Sequence, residues 1–163
     1  MCIIYNMEYT YIVIKPNADE FAERIIGELP CEVEVLASHV ILPPQFWRSF
    51  YVVHRGKAFF EDLVSFMSGG RTTHLVGYGE DVIRRVREAI GATDPAKAAP
   101  NTIRARYGRS VTENAIHASD SPASARFELS CGLTGLLDYG YIDLKRFIEL
   151  KDRFLKDEGM EDE

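Results

Sequence analysis

One histidine of this sequence lies where it could carry out covalent chemistry. His117 sits in the run NAIHASDS, residues 114–121, among short polar side chains. A neutral imidazole can act as a nucleophile, and a carboxylate on its second nitrogen would fix the tautomer that leaves the first nitrogen free. Glu128 follows one or two turns into the helix predicted after Pro122, so it could fold back to supply that carboxylate. A histidine in a short apolar run is more often a hydrogen-bonded structural residue, so the residues by themselves make His117 only a candidate.

The basic residues favour local recognition of phosphate. The chain has 13 Arg and 6 Lys, and a guanidinium fork matches the geometry of phosphate. Arg104, Arg106 and Arg109 lie in or beside a stretch without periodicity, residues 91–108, which we predict to be a long functional loop. The net charge of −6 argues against a specific nucleic-acid partner, but converging arginines can still bind a small polyanion.

The sequence lacks the common short signatures of other enzymes that act on phosphates or esters. It contains no P-loop, no glycine fingerprint after a strand, no serine nucleophile elbow and no protein-kinase signature set. Paired cysteines or histidines with metal-ligand spacing are missing, and so is the RNA-recognition signature. These absences leave the histidine and the arginines as the residues that could do chemistry.

Hydrophobic periodicity places these residues on alternating strands and helices. We predict an α/β (α+β) sandwich, with a ferredoxin-like four-stranded antiparallel sheet covered by helices. A last amphipathic helix should begin after its cap at Asp143 and bury one side. That side is formed by Leu144, Phe147, Ile148, Phe154 and Leu155. The predicted strands are 9–15, 33–42, 73–78 and 115–118, and the predicted helices are 19–29, 45–53, 59–67, one opening at 79–81 and running to about 90, and one starting at Ser121-Pro122.

Length and composition predict one globular domain, residues 1–163. The chain is 46% hydrophobic and 27% charged, and no stretch is apolar for long enough to span a bilayer. The residues before the first strand are too few for a signal peptide, and the acidic tail, 157–163, should be frayed. Cys2, Cys31 and Cys131 are odd in number and widely separated, which fits a reducing cytoplasm rather than a disulfide framework or a zinc site.

Several ordered segments resemble one enzyme family. NAIHASDS resembles the N-x-x-H-G-S-D-S signature of nucleoside diphosphate kinases, and the flanking order agrees as well as the histidine. Residues 14–17 (IKPN) resemble the end of that family's first strand, and Tyr51, HRGK at 54–57 and FFxxL at 59–63 resemble its helical hairpin. GATDP at 91–95 and TIR at 102–104 resemble two further motifs. The resemblance extends from about Tyr9 to Glu128.

The resemblance implies transfer of the γ-phosphate of a nucleoside triphosphate such as ATP to a nucleoside diphosphate, which maintains NTP and dNTP pools. It implies a ping-pong reaction through phosphorylated His117, with Mg²⁺ held by the nucleotide phosphates and not directly by the protein. Asp120 would be an indirect metal ligand. It also implies a homo-oligomer, a hexamer or tetramer built from dimers.

Further roles follow from the same resemblance, residue by residue. Glu128 and Ser119 would orient His117, and Tyr51 would place a phenol near the reacting phosphate. Phe59, Leu63 and Val111 would form the slot for the base. The residues implied to hold phosphates and sugar are Lys15, Arg87, Thr93, Arg104 and Asn114.

Each of these roles has a structural alternative. Phe59 and Leu63 are at helical spacing and could simply be core residues. Arg87, with Arg84 and Arg85, could belong to a solvated helix face, and Thr93 could be only a turn residue. His39, His54 and His74 match no catalytic position, and we interpret them as structural.

The sequence also departs from the family pattern. Ala118 and Asn101 stand where glycine is usual and would restrict the backbone, Ala58 replaces a proline, and Val53 replaces an acidic residue. The segment between Asn17 and Val33 is short, and the chain after Ser130 diverges. If Ala118 and Val53 crowd the site, the protein would be a nucleotide-binding or regulatory scaffold with weak or no kinase activity. A ferredoxin-like nucleic-acid-binding or regulatory protein is the third hypothesis, which the acidic charge disfavours.

Overall fold

The computed structural model describes residues 8–156. The first seven residues and the predicted acidic tail, 157–163, lie outside that range. Four strands form one sheet in the order β2-β3-β1-β4, and each neighbouring pair is antiparallel. Helices connect β1 to β2 and β3 to β4, which is the ferredoxin-like topology and confirms the predicted fold. The strands are β1 (Glu8–Ile14), β2 (Glu32–Val40), β3 (Thr72–Gly79) and β4 (Ile116–Ala118).

Helices cover both faces of this sheet. Short 3-10 turns precede α1 at Asp19–Phe21, follow α2 at Val52–His54, and precede α5 at Pro95–Lys97. The helices are α1 (Ala22–Glu28), α2 (Pro44–Phe50), α3 (Phe60–Ser68), α4 (Val82–Ile90), α5 (Ile103–Tyr107), α6 (Pro122–Asp138) and α7 (Leu144–Phe154).

Alternation along the strands separates the core into two hydrophobic clusters. Tyr11 and Val13 of β1 pack with α2, α3, α6 and α7 on one face. Ile12 and Ile14 pack with α1, α4 and α5 on the other. His117 lies opposite Val13 in the register of β4 with β1. Residues directly opposite each other in an antiparallel pair share a face, so His117 points towards the helices of the first cluster.

Two of the predicted elements differ from the structure, and in both the local backbone explains the difference. The helix predicted for 45–53 ends at Phe50, and the chain continues as a 3-10 turn. The stretch predicted as a loop, 91–108, contains α5, whose start is capped by the Thr102 side chain accepting the Ala105 N–H. A five-residue helix is too short to show a helical period in the sequence.

The C-terminal helix adds to the first cluster, with one part of the prediction wrong. Its cap at Asp143 is confirmed, since the carboxylate accepts the Arg146 N–H. Phe147 and Phe154 pack against the core as predicted, together with Leu155. The other two residues of the predicted buried side, Leu144 and Ile148, are 60% and 47% exposed. The helix is tied instead to β2, where Glu34 accepts hydrogen bonds from Arg146 and Arg153.

Candidate active site

The centre of the site is a histidine held by a buried carboxylate. Nε2 of His117 lies 2.8 Å and 2.7 Å from the two carboxylate oxygens of Glu128, which reaches back from α6. A carboxylate only accepts, so Nε2 carries the proton and Nδ1 keeps a free lone pair. The His117 side chain is 21% exposed and that of Glu128 is 7% exposed. The imidazole therefore offers one oriented nitrogen to a ligand while its partner stays out of water.

Two aromatic side chains from the end of α2 wall the imidazole. The ring centroids of Phe50 and Tyr51 lie 5.2 Å and 5.8 Å from that of His117. The buried hydroxyl of Tyr51 has no hydrogen-bond partner among the described residues. Burial, and secondarily the charge of Glu128, raises the pKa of Tyr51 well above its usual value. Tyr51 is consequently a protonated phenol whose O–H can donate a hydrogen bond to a ligand.

A tight turn before β4 brings Asn114 next to the histidine strand. Ala115 has φ +74°, and the Ile116 N–H donates to the Asn114 carbonyl at 3.0 Å, which is a γ-turn. The Asn114 side chain donates to the Thr93 carbonyl at 3.0 Å, and its buried Oδ1 has no partner within residues 8–156. The hydrogen bond from the Asn114 side chain thus brings together Thr93 and Asn114, two residues expected to hold a nucleotide.

Three basic side chains converge around β4 without carboxylate partners inside the described range. Arg104 is buried and donates to the carbonyls of Gly91 and Ile116 at 3.1 Å and 2.9 Å. Arg87 donates to the Ala118 carbonyl at 3.3 Å, so the two guanidinium groups flank His117. Burial and the neighbouring Arg87 lower the pKa of Arg104 to about 10. Asp120 interacts with Arg87 at longer range, but no carboxylate within residues 8–156 forms an ion pair with any of the three, so the cluster attracts an anion.

Lys15 is the third basic side chain and is almost fully buried. Its Nζ donates to the Thr112 carbonyl at 3.3 Å. Burial, followed by the charge of Arg104, lowers the pKa of Lys15 from 10.5 to about 7. Lys15 is therefore close to losing its charge at neutral pH.

If Lys15 contacts a nucleotide phosphate, as the family resemblance implies, nucleotide affinity should weaken as pH rises through this range. The phosphate would then stabilise protonated Lys15, so binding above about pH 7 would take up a proton. We expect KM for ADP to rise between about pH 7.5 and about pH 9.5, by at most about tenfold per pH unit. In Lys15→Gln, KM should be high throughout and flat in this interval. Steady-state kinetics across the interval measure both, and an equal slope in the two proteins would contradict the assignment.

The residues expected to contact a base lie on the helical hairpin and on a loop tip. Phe59 is 44% exposed and Val111 is 56% exposed, whereas Leu63 is buried within the hairpin. Lys57 Nζ lies 5.8 Å from the centroid of the Phe59 ring. Exposed apolar side chains at these two positions suit contact with a ligand, while Leu63 is placed to support Phe59.

His54, which the sequence interpretation treated as structural, lies against two of the predicted site residues. Its ring stacks on Tyr51 at 6.0 Å and meets Phe59 edge-on at 5.2 Å. Burial, then the charges of Lys57 and His117, lowers the pKa of His54. The spacing from Tyr51, three residues along the hairpin, was the available signal for its position on the same side.

Ser119 lies beside the histidine in sequence but is engaged elsewhere. Its hydroxyl accepts the Tyr11 N–H at 2.9 Å, and its own N–H donates to the Tyr11 carbonyl at 3.2 Å. These bonds fasten the end of β4 to β1. Ser119 thus positions the strand that carries His117, while Glu128 is the hydrogen-bond partner of the imidazole.

The other two histidines have structural hydrogen bonds. Nδ1 of His74 is hydrogen-bonded to the Tyr11 hydroxyl at 2.7 Å, and its Nε2 is hydrogen-bonded to the Thr72 hydroxyl at 2.9 Å. Burial, and secondarily His117, lowers the pKa of His74 to about 3, so it is neutral. His39 lies on the edge strand, 2.6 Å from the buried carboxylate of Asp19.

The two substitutions expected to crowd the site do not do so. Ala118 packs into the cluster on the opposite face of the sheet from His117. Neither Ala118 nor Asn101 has a positive φ, so neither strains the backbone by replacing glycine. Val53 is 72% exposed, so its side chain extends into solvent and is not packed in the core.

The structure places an oriented imidazole beside a group of cations on a ferredoxin-like sheet, an arrangement that suits the transfer of a phosphate group. The family model for nucleoside diphosphate kinase matches residues 8–134. The nucleoside diphosphate kinase of Aquifex aeolicus is 43% identical over 139 residues, covering 80% of this chain and 96% of the relative. That of Desulfovibrio desulfuricans is 38% identical over 136 residues, with the same coverage of 80% and 96%.

Solved structures agree with this match. A crystal structure of the Aquifex aeolicus nucleoside diphosphate kinase superimposes with a TM-score of 0.69 at 43% identity, covering 80% of this chain and 97% of that one. The Halobacterium salinarum enzyme in complex with CDP gives a TM-score of 0.66 at 29% identity, covering 76% and 86%. The chain belongs to the nucleoside diphosphate kinase family, and it is an enzyme that transfers phosphate from nucleoside triphosphates to nucleoside diphosphates. The family resemblance inferred from the motifs is confirmed.

Among residues 8–156, no helix is both long enough and apolar enough to cross a membrane.

Proposed function

We propose that phosphate passes between nucleotides through a covalent intermediate on Nδ1 of His117. The hydrogen bond that the Nε2–H of His117 donates to Glu128 carries this proposal, because it leaves Nδ1 as the free nucleophile. Nδ1 attacks the γ-phosphorus, the bond to the bridging oxygen breaks, and the nucleoside diphosphate leaves with that electron pair. The Nε2 proton stays between His117 and Glu128. A second nucleoside diphosphate then attacks the phosphohistidine in the reverse direction, which makes the kinetics ping-pong.

The charged and polar side chains around His117 are proposed to hold the phosphates and the sugar. Lys15, Arg87 and Arg104 supply positive charge to the spreading negative charge of the transferred group. Tyr51, Arg104 and Asn114 each have a buried polar atom without a partner in the described structure. Buried polar atoms are nearly always hydrogen-bonded, so these three support a ligand at this place. Thr93, exposed beside Asn114, is proposed to contact the sugar or a phosphate.

The base is proposed to stack on Phe59, with Val111 on the other side and Leu63 beneath. An aromatic face stacks on any base, so this slot supports broad base specificity. The Halobacterium salinarum relative binds the pyrimidine nucleotide CDP, which agrees with a slot that does not read base edges.

Truncating the stacking ring should weaken binding of all nucleotides to a similar degree. We expect Phe59→Ala to raise KM roughly tenfold for ADP, GDP and CDP alike, since stacking contributes about 1–3 kcal/mol per base. Tyr139→Ala removes an equally exposed aromatic ring at the far end of α6 and serves as the control. Steady-state kinetics with each nucleotide measure the effect, and a loss confined to one base would contradict this role.

The residues of the site fit a magnesium ion that is held mainly by nucleotide phosphates. No group of three or more histidine, cysteine, aspartate or glutamate side chains within residues 8–156 forms a metal cluster. Hydrogen bonds, chiefly from Ser124, lower the pKa of Asp120, so its carboxylate is charged and suited to an indirect contact. Mg²⁺ when bound would neutralise phosphate charge.

Three wider features are also proposed. The chain is taken as one kinase domain with a divergent helical extension from about residue 131, since the family match ends at residue 134 and α6 continues to Asp138. We propose a cytoplasmic enzyme because of its separated cysteines. A homo-oligomer, hexamer or tetramer built from dimers, follows from the family resemblance.

The scaffold alternative is not favoured, because the residues matched to phosphate contacts are present and His117 is uncrowded.

A labelled nucleotide tests the central step. The purified protein is incubated with ATP labelled at the γ-phosphate, and an acid-labile, base-stable protein adduct is expected. Addition of unlabelled GDP or CDP should discharge the adduct and yield labelled triphosphate. If the protein transfers phosphate without ever forming the adduct, the covalent route is wrong.

A further inference from the structure

A side chain just beyond β1 closes a loop that borders the site. The Asn17 amide nitrogen donates to the carbonyl of Tyr107 at 3.1 Å and to that of Glu113 at 3.0 Å. Its carbonyl oxygen Oδ1 is buried without a hydrogen-bond partner in the described chain. The two acceptors lie 90 and 96 residues away in sequence, so this is a tertiary contact and not a local turn.

These two carbonyls mark the two ends of one loop, residues 107–113. The Arg109 N–H donates to the Glu113 carbonyl at 2.8 Å, and the Ser110 hydroxyl accepts the Glu113 N–H at 3.0 Å. The loop therefore folds back on itself, and Asn17 joins its ends at the neck. Its tip carries Val111, one wall of the proposed base slot.

The segments on both sides of the neck also carry site residues. Helix α5, which ends at Tyr107, holds Arg104, and the chain after Glu113 continues directly into Asn114 and the γ-turn. Lys15 binds the same stretch, through its N–H to the Ala115 carbonyl at 2.8 Å and through Nζ to Thr112. The end of β1 thus holds the segment 107–115 at four points, two of them made by Asn17.

We infer that Asn17 is a positioning residue for nucleotide binding, which holds loop 107–113 so that Val111 and Asn114 face the nucleotide. This inference rests on the proposed function of the site. An amide suits the position because its two N–H groups satisfy two carbonyl oxygens at once. A carboxylate of the same shape would place an acceptor against two acceptors. Leaving the carbonyls without donors would let the loop move, since few other bonds close its neck.

The test compares Asn17→Asp and Asn17→Ala with the control Asn101→Asp. Asn101 is exposed and lies just before α5, the helix that leads into loop 107–113. Its substitution by aspartate adds the same charge as Asn17→Asp but leaves the hydrogen bonds of Asn17 in place. We expect both Asn17 variants to raise KM for ADP and ATP roughly tenfold. Phosphoenzyme formation at saturating ATP should stay within about twofold of the unchanged protein. The control should leave both quantities unchanged.

Hydrogen exchange of the amides in 107–113 provides a second readout that does not depend on catalysis. Exchange there should become faster in Asn17→Ala, whereas amides of β1 and β3 should keep their protection. If Asn17 has only a structural role, the midpoint of thermal unfolding will fall while KM stays within twofold, and the inference is overturned. Should the aspartate variant fail to fold, the alanine variant still decides the outcome.

Failure of the proposed function and failure of the role of Asn17 give different results. If the unchanged protein forms no phosphohistidine, the proposed function fails. If it forms the adduct and both Asn17 variants keep an unchanged KM, only the role of Asn17 fails.

Discussion

His117→Asn should reduce phosphate transfer by on the order of 10⁵-fold and abolish the labelled protein adduct. The amide of asparagine can fill part of the space but has no nucleophilic nitrogen, so the two half-reactions lose their common intermediate. Nucleotide binding should survive, because the cations of the site and Phe59 remain in place. Equilibrium binding of a fluorescent nucleotide, measured beside the transfer rate, separates loss of chemistry from loss of binding.

His54→Asn is the matched variant for this prediction. His54 lies in the same site, stacked on Tyr51, but has no carboxylate that orients it among the described residues. We expect His54→Asn to form the labelled adduct still, with a raised KM for nucleotides. An adduct that persists in His117→Asn and disappears in His54→Asn would move the phosphate acceptor to His54 and overturn the assignment.

The second large effect is expected at Glu128. Glu128→Gln should slow phosphoenzyme formation by on the order of 10²-fold, with little change in nucleotide binding. Glutamine keeps the shape and one acceptor for Nε2–H, but it removes the negative charge that stabilises the phosphorylated, more positive imidazole. Single-turnover formation of the adduct at saturating ATP measures this step directly.

Glu61→Gln is the control for the loss of a carboxylate. Glu61 lies on α3 in an exposed ion pair with Arg48, and exposed pairs contribute little to stability. The control should retain the original rate. A Glu128→Gln protein that forms the adduct as fast as the unchanged chain would show that the carboxylate does not activate His117.

Much of the fold could be predicted because its signals are local. The residues of strand β1 are mostly β-branched or aromatic, which is typical of a strand. At the starts of α6 and α7, the side chains of Ser121 and Asp143 accept main-chain N–H groups, as expected of helix caps. Helix α5 was missed because five residues carry no visible period. The exposure of Leu144 and Ile148 was missed for another reason: α7 docks on β2 through Glu34, a contact that its own amphipathic pattern does not encode.

In the candidate site too, features that depend on neighbouring residues could be predicted, and features that depend on packing could not. The ordered motifs around His117 were enough to indicate the family and to single out His117 as the predicted phosphate acceptor, because those residues are close together in the chain. Three features depend on how α2 and α6 pack over the sheet. They are the hydrogen bond that His117 donates to Glu128, the unpaired polar atoms of Tyr51 and Asn114, and the contact of His54 with Tyr51.

The amino-acid order thus determined the elements, their caps and the histidine motif, since each depends on neighbours within a few residues. The tertiary structure decided which nitrogen of His117 is free, that Lys15 is buried beside Arg104, and that Asn17 closes a loop 90 residues away. These properties arise from burial and from contacts between distant segments, and both exist only once the two faces of the sheet are covered.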